Sequence, residues 1–417
     1  MTDNNQATRL EFPTLSLMPP LPAGRFSHLS FISTRAHSQL YAARPARRAC
    51  APRQLFGGPS VTITLRRSLL KRLALILAAA SLAGASSAAG QTVTDNSAAP
   101  TPIRFTLDRP VDGAFAPFIV ATTKGYFRSE ALSVTTHIAK GTNDAIARVA
   151  QGTSDIALAD INALIRFRDT PNAPAVKAVF ILSNSAPYAI IARKSRGIAT
   201  LSDLTGKTLG AATDDLSIRL WPAVAERNGI ATATVKQQTI GAAVREPMLA
   251  AGQVDAVTGF SYLSAVNLRD RGIPADDLTV LRFADYGCPA YGAALIVNPK
   301  FAAEHPQAVR AFLRATVKGL RQTIKNPGAA IDAVMTQMNG GERPLELERL
   351  RIALRDNILT NDVRRNGFGG ADTTRLNQSI TALAHDRKFR EKPLAGDIFD
   401  PSFLPPATER QFEQATK

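Results

Sequence analysis

The chain has 417 residues, enough for two domains, and a formal net charge of +16. Residues 1–90 carry +9 of this charge, so the remainder is only mildly basic. No run of Lys and Arg is interleaved with aromatic residues, which argues against a nucleic-acid-binding protein. Of the two cysteines, Cys50 precedes the export signal described next, so Cys288 would stand alone in the mature chain without an intramolecular disulfide.

Residues 66–90 read RRSLLKRLALILAAASLAGASSAAG, a basic segment followed by an apolar one and by small residues. This order is typical of a signal peptide. The apolar run from Leu73 to Ala85 is short for a transmembrane helix, which needs about 20 residues. We therefore expect a periplasmic protein whose mature chain begins between Ser86 and Gln91. Both the general and the twin-arginine export routes remain open, and no cysteine is present at the cleavage region to carry a lipid anchor.

Residues 1–65 precede this signal and are rich in Arg, Pro and Ser without a sustained hydrophobic period. Signal peptides stand at the N-terminus of the translated chain. We expect this segment to be either the product of a mis-called start codon or a disordered extension.

Downstream, short apolar strands alternate with helical segments, as in α/β folds with parallel strands. In the first block we predict strands over 103–107, 132–138, 155–159 and 175–182, with helices over 113–124, 142–151 and 160–168. Residues 183–187 break this alternation. The break divides the α/β region into two blocks.

A second block of the same type follows the break. We predict its strands over 188–192, 207–212, 234–240, 254–260, 278–283 and 293–297, with helices over 201–204, 214–227, 242–251 and 261–271. A second break lies at residues 286–289, and helices then follow over 303–325, 327–338, 344–359 and 372–386. We predict a first lobe over 102–187, a second over 188–287, and a return to the first lobe with C-terminal helices over 288–417.

Ligands of open α/β sheets collect where strands end and helices begin. The candidate ligand-binding residues share that position, with hydroxyl, amide, carboxylate or aromatic side chains. They are Asp112, Phe115, Thr142, Asn143, Asp160 and Ser183 in the first block, and Thr213, Asp214 and Phe260 in the second. Taken singly, the hydroxyl, amide and carboxylate groups also suit helix capping, so a site requires that they converge. The carboxylates favour a ligand with donor groups, such as an amine or a ring N–H, over a bare oxyanion.

The sequence contains no nucleophile, phosphate-loop or metal-ligand motif. His137, His305 and His385 have no paired-ligand spacing. We therefore expect no catalytic residues, no metal and no cofactor.

Four segments resemble one known family. LDRPVDGAFAPFIVATTKGYFRSEALSV, GTNDAIARVAQGTSDIALAD, IATLSDLTGKTLGAAT and LAAGQVDAVTGF occur in this order. They resemble periplasmic substrate-binding proteins of ABC importers, in the branch that binds thiamine pyrimidines, riboflavin, alkanesulfonates, taurine and nitrate. The thiamine-pyrimidine group usually has Trp where this chain has Arg109, which instead could pair with an acidic ligand group or lie at the surface.

The resemblance implies a type II periplasmic-binding fold, with two α/β lobes joined by two hinge crossings and a helical C-terminal tail. It also implies a monomer that captures a small polar metabolite between its lobes and delivers it to an ABC permease in the inner membrane. Two alternatives remain open. One is an enzyme resembling thiamine-pyrimidine synthases, although this chain lacks their Cys-rich segment, and the other is a ligand-binding sensor without a transport role.

Overall fold

The structure is a computed structural model, and it describes residues 99–213 and 215–412. The predicted signal peptide, residues 1–65 and the candidate Asp214 lie outside the described residues. None of the described helices is long and apolar enough to cross a bilayer.

Within the described residues, ten strands form two sheets, one in each lobe. They are β1 (Thr101–Leu107), β2 (Leu132–Ile138), β3 (Ile156–Asp160), β4 (Lys177–Ile181), β5 (Tyr188–Arg193), β6 (Thr208–Ala211), β7 (Lys236–Thr239), β8 (Ala256–Phe260), β9 (Leu278–Arg282) and β10 (Ala293–Val297).

Fifteen α-helices occur in the described part of the chain. The first seven are α1 (Ala116–Thr123), α2 (Tyr126–Ser129), α3 (Thr142–Ala150), α4 (Ile161–Arg168), α5 (Leu216–Arg227), α6 (Arg245–Ala250) and α7 (Ser261–Asp270). The others are α8 (Pro299–Glu304), α9 (Pro306–Lys325), α10 (Pro327–Met335), α11 (Arg343–Ala353), α12 (Asn361–Asn366), α13 (Thr373–Leu383), α14 (Ala395–Ile398) and α15 (Ala407–Arg410).

Each sheet combines parallel strands with one strand that returns from the other lobe. The first sheet has the order β2-β1-β3-β10-β4, and the second has the order β7-β6-β8-β5-β9. Strands β1, β2 and β3 are parallel, as are β6, β7 and β8, whereas β10 and β5 run antiparallel to both of their neighbours. The α/β fold class with two lobes and C-terminal helices is therefore confirmed. The predicted parallel order fails at one strand in each sheet, β10 in the first and β5 in the second. Each of these strands crosses over from the other lobe and runs antiparallel to its neighbours.

Continuous apolar strands place the sheets inside the lobes. All five residues of β3 are buried, as expected for a strand covered on both faces. Helix α9 packs closely on α1, where a side chain at Gly319 would come within 2.1 Å of the Pro117 carbonyl oxygen. A glycine is therefore required at that contact.

Two crossings join the sheets. The chain leaves the first sheet after Ile181 and enters the second at Tyr188, and it returns between Arg282 and Ala293. Both crossings pass next to each other, because the Ala186 N–H donates to the Ala290 carbonyl at 3.1 Å.

Arg375 of α13 ties the two crossings together, and we call it the hinge clamp. Its guanidinium donates to the Asn184 carbonyl of the first crossing at 2.6 Å and to the Pro289 carbonyl of the second at 2.8 Å. It also lies over the ring of Tyr291, 4.0 Å from the centroid. Both crossings are thus fixed to one C-terminal helix.

The C-terminal helices contact both lobes. Arg349 of α11 donates to the side chain of Asn267 in α7 of the second lobe at 2.7 Å. On the other side, the buried Glu346 of α11 accepts the N–H of Gly113 in the first lobe at 2.7 Å. The predicted tail is therefore part of the contact between the lobes.

Several predicted helices differ from the structure, and the segments 113–115, 201–204 and 242–244 form 3-10 turns. The helix predicted over 303–325 is divided into α8 and α9 at His305, whose backbone is not helical, because the residue before a proline avoids the α region. The helix predicted over 344–359 ends as α11 at Ala353, and a π-helical turn (Leu354–Ile358) follows it.

Candidate functional site

Asp160 is a buried carboxylate at the end of β3. As the N-cap of α4, it accepts the N–H of Asn162 at 2.8 Å, and its other oxygen accepts the hydroxyl of Tyr188 at 2.5 Å. Burial raises the pKa of Asp160 to about 6, although the hydrogen bonds from Tyr188 and Asn162 act in the opposite direction. No described cation forms an ion pair with it. Its charge would therefore be stabilised by a ligand with N–H donors or a positive charge.

Arg109 lies between two carboxylates in the loop after β1. Its guanidinium donates to Asp108 at 2.9 Å and to Asp112 at 3.1 Å. Its third contact is the hydroxyl of Tyr262, at 2.8 Å, and this residue belongs to α7 of the second lobe. Arg109 therefore joins the two lobes directly.

Aromatic rings pack beside these charged groups. The Arg109 guanidinium carbon lies 4.3 Å from the ring centroid of Phe115 and 6.0 Å from that of Phe260. The Phe260 ring is in turn 6.0 Å from the rings of Tyr188 and of Tyr262. These rings connect the Asp160 end of the site to the Arg109 end.

We call this set the central site. It consists of Asp108, Arg109, Asp112, Phe115, Asp160, Tyr188, Phe260 and Tyr262. Residues from both lobes contribute to it.

The central site has more acidic than basic groups. Burial raises the pKa of Asp108, although Arg109 acts in the opposite direction. The pKa of Arg109 is raised: burial disfavours its charged form, but Tyr262, Asp112 and Asp108 outweigh this effect. Asp108 also contributes to the raised pKa of Asp160. Arg109 is thus already neutralised by its own neighbours, whereas Asp160 is held by hydrogen bonds and has no ion-pair partner among the described cations.

Four of the nine candidate residues lie in the central site: Asp112, Phe115, Asp160 and Phe260. Thr142 borders it, because its hydroxyl oxygen accepts the N–H of Asp160 at 2.7 Å. The role of Arg109 was open from the sequence, and Asp108, Tyr188 and Tyr262 were not among the candidates. Tyr188 follows directly on the first pattern break, and that position is the signal that could have identified it.

The remaining candidates lie elsewhere. Asn143 and Thr142 line a separate cavity of about 160 Å³. Thr213 is exposed, and its carbonyl accepts a hydrogen bond from Arg219 at 3.2 Å. Ser183 lies in the first crossing, where its backbone pairs with Ala293 of β10. The structure does not bring these residues together with Arg109 and Asp112.

A larger cavity of about 790 Å³ lies beside the second crossing, between α5 and α13. It is lined by Cys288 and His385, and no residue of the central site lines it. Burial raises the pKa of Cys288, which favours the thiol over the reactive thiolate. Within residues 99–213 and 215–412, no group of three or more metal-ligating side chains is found.

A model of the NMT1/THI5-like family matches residues 112–330, just over half of the chain. The chain belongs to this family. The matched segment begins at Asp112 and includes the central-site residues of both lobes that follow it.

The relatives of this chain are named for different functions. The chain is 32% identical to the riboflavin-binding protein RibY of Chloroflexus aurantiacus over 52% of its own length and 61% of that relative's. It is 26% identical to the formylaminopyrimidine-binding protein of Halalkalibacterium halodurans over 78% of its own length and 96% of that relative's. It is also 27% identical to the 4-amino-5-hydroxymethyl-2-methylpyrimidine phosphate synthase of Schizosaccharomyces pombe, over 51% of its own length and 62% of that relative's.

Solved structures support the fold. The periplasmic aliphatic sulphonate binding protein SsuA of Escherichia coli superimposes with a TM-score of 0.59 at 13% identity, covering 76% of this chain and 96% of that one. At this identity the similarity establishes a shared periplasmic-binding fold.

Proposed function

We propose that this family member is a periplasmic solute-binding protein of an ABC importer, which closes its two lobes on a small polar metabolite. The observation that carries the proposal is the central site, in which the first lobe supplies Arg109 and the second supplies Tyr262, 2.8 Å apart. A ligand that contacts both lobes stabilises the closed form relative to the open one. The closed form would be recognised by a permease, and the binding protein itself would be monomeric.

The ligand would carry a flat ring and at least one donor group. Phe260 offers a partly exposed ring, and the buried carboxylate of Asp160 favours an N–H or a cationic group. Two relatives are named as binding proteins for riboflavin and for formylaminopyrimidine. Both compounds are nitrogen heterocycles. This agreement supports a heterocyclic ligand.

The placement of the histidines favours binding over catalysis. Pyrimidine phosphate synthases are also relatives, so an enzyme remains the alternative to be tested. His137 is exposed on β2, His305 packs against Phe301 with its ring tilted, and His385 pairs with Glu226. None of these three histidines lies in the central site, where proton transfer to a ligand would occur.

Binding should raise the melting temperature and reduce the radius of gyration. We would screen the purified protein by thermal shift against riboflavin, formylaminopyrimidine, an alkanesulfonate and nitrate. A ligand at one hundred times its Kd stabilises the folded state by about 2.7 kcal/mol. Small-angle scattering with the ligand identified should then show a smaller particle.

Two results would contradict the proposal. Scattering curves that superimpose when calorimetry shows saturation would argue against lobe closure. Chemical conversion of the bound compound during incubation, followed by mass spectrometry, would favour the enzyme.

A further inference from the structure

Three arginines surround the 160 Å³ cavity that lies between the lobes beside the central site. Arg166 comes from α4 of the first lobe, Arg219 from α5 of the second, and Arg387 from the segment after α13. At about 30 Å³ per water, the cavity has room for several waters, and thus for a small polyatomic group.

The positive charge at this cavity is only partly compensated. Asp386 lies 3.2 Å from Arg219 and 3.8 Å from Arg166. Burial lowers the pKa of Arg166, Asp386 and Asp169 oppose this effect, and the positive charges of Arg387 and Arg219 add to it. Two carboxylates therefore act on a group of three guanidinium groups.

Arg166 has a buried donor that is not used. Its terminal nitrogens donate to the carbonyls of Leu383 and Arg387, which fix the guanidinium in place. Its side chain is 11% exposed, and its Nε has no hydrogen-bond partner. A buried donor without an acceptor is unfavourable unless a ligand or a water supplies one.

The start of α3 adds further donors to the same cavity. Thr142 and Asn143 are its first two residues, and the helix has no side-chain cap. The N–H groups of an uncapped first turn favour an anion. The Thr142 hydroxyl also contacts the backbone of Asp160, so the cavity adjoins the central site.

We propose that this cavity binds a phosphate ester group carried by the ligand of the central site. The inference rests on the proposed function and extends it. The ligand would have a donor-bearing ring near Asp160 and an oxyanion among Arg166, Arg219 and Arg387, whose guanidinium groups outnumber the carboxylates acting on them. Because Arg166 and Arg219 belong to different lobes, the oxyanion would also favour closure.

The experiment compares phenyl phosphate, phenol and inorganic phosphate by calorimetry on the purified full chain at low ionic strength. We expect phenyl phosphate to bind at least tenfold more tightly than either of the others, since each lacks one half of the proposed ligand. Arg219→Gln and Arg387→Gln should each weaken phenyl phosphate binding by about tenfold, as expected for the loss of one charge-assisted hydrogen bond. Arg128→Gln, an equal charge change at an exposed position on α2, is the matched control and should change nothing.

The variant Asp386→Asn distinguishes recognition of the phosphate group from a general loss of contact between the lobes. This change removes the carboxylate that competes for Arg166 and Arg219, so phenyl phosphate should bind several-fold more tightly. Loss of the contact between lobes would instead weaken binding.

Three outcomes would overturn the inference. The first is weaker or unchanged binding in Asp386→Asn together with unchanged binding in both arginine variants. The second is equal affinity for inorganic phosphate, which would identify a free ion rather than a group of the cleft ligand. The third is tight binding of a neutral heterocycle without binding of phenyl phosphate, which would overturn this inference and leave the proposed function intact.

Discussion

Asp160→Asn is expected to raise the free energy of unfolding of the unliganded protein by up to about 3 kcal/mol at pH 8 and to change it little at pH 4. The pKa of Asp160 is raised to about 6 from the ordinary 3.8 because the carboxyl group is buried. As the pH rises from about 4 to 6, the unfolded chain loses this proton before the folded chain does. Stability is therefore lost over this range in the wild type, and an amide, which does not ionise, avoids the loss.

The measurement is urea unfolding of both proteins at the two pH values. Asp215→Asn is a matched control, because Asp215 is likewise the N-cap of a helix but pairs with Arg245 at 2.5 Å. That variant should be less stable than the wild type at pH 8, since it leaves the arginine without its carboxylate. If Asp160→Asn were less stable than the wild type at pH 8, then the ionised Asp160 carboxylate would not be destabilising the folded protein.

The same substitution should weaken ligand binding by about tenfold or more, because one charge-assisted hydrogen bond contributes roughly 1.5–3 kcal/mol. Greater stability with weaker binding is the pattern expected of a group retained for recognition.

Arg109→Gln should lower the free energy of unfolding by about 3–5 kcal/mol, because it leaves Asp108 and Asp112 buried without their cation. Both carboxylates are 8% exposed. The deficit should shrink as the pH falls toward 4, since the Asp108 carboxyl, whose pKa is raised by burial, can then bind a proton.

Arg104→Gln is the control for Arg109→Gln. Arg104 also pairs with an aspartate, Asp155, but its side chain is 48% exposed, so we expect a loss of about 1 kcal/mol or less. Adding Asp108→Asn and Asp112→Asn to Arg109→Gln should restore most of the lost stability. If the triple variant is as unstable as Arg109→Gln alone, then unpaired charge is not the cause.

Local patterns predicted most of the strands and helices, because each depends on the apolar period of one short segment. They could not predict the antiparallel entry of β5 and β10, which depends on where the chain crosses between the lobes. The division at His305 could have been read from Pro306, but the π-helical turn at Leu354–Ile358 has no comparable signal.

The part of the candidate site that depends on position along the chain was predictable. Asp160 and Phe260 each end a strand, and Asp112 follows the end of another, so the rule for strand ends identified them. The role of Arg109 was not predictable, because its partner Tyr262 is 153 residues away in sequence. The arginine cavity also depends on long-range contacts, since Arg166 reaches the backbone of Arg387, 221 residues along the chain.

The hinge clamp limits the ways in which the lobes can move. Two independent crossings between the lobes would permit both bending and twisting. Arg375 binds the Asn184 carbonyl in the first crossing and the Pro289 carbonyl in the second. A twist that slides the crossings past each other would break these bonds, whereas a bend across both crossings would keep them. In the proposed closure, these bonds would favour a bend over a twist and would bring Arg109 and Tyr262 together in one alignment. The conformational entropy lost on binding would be correspondingly smaller.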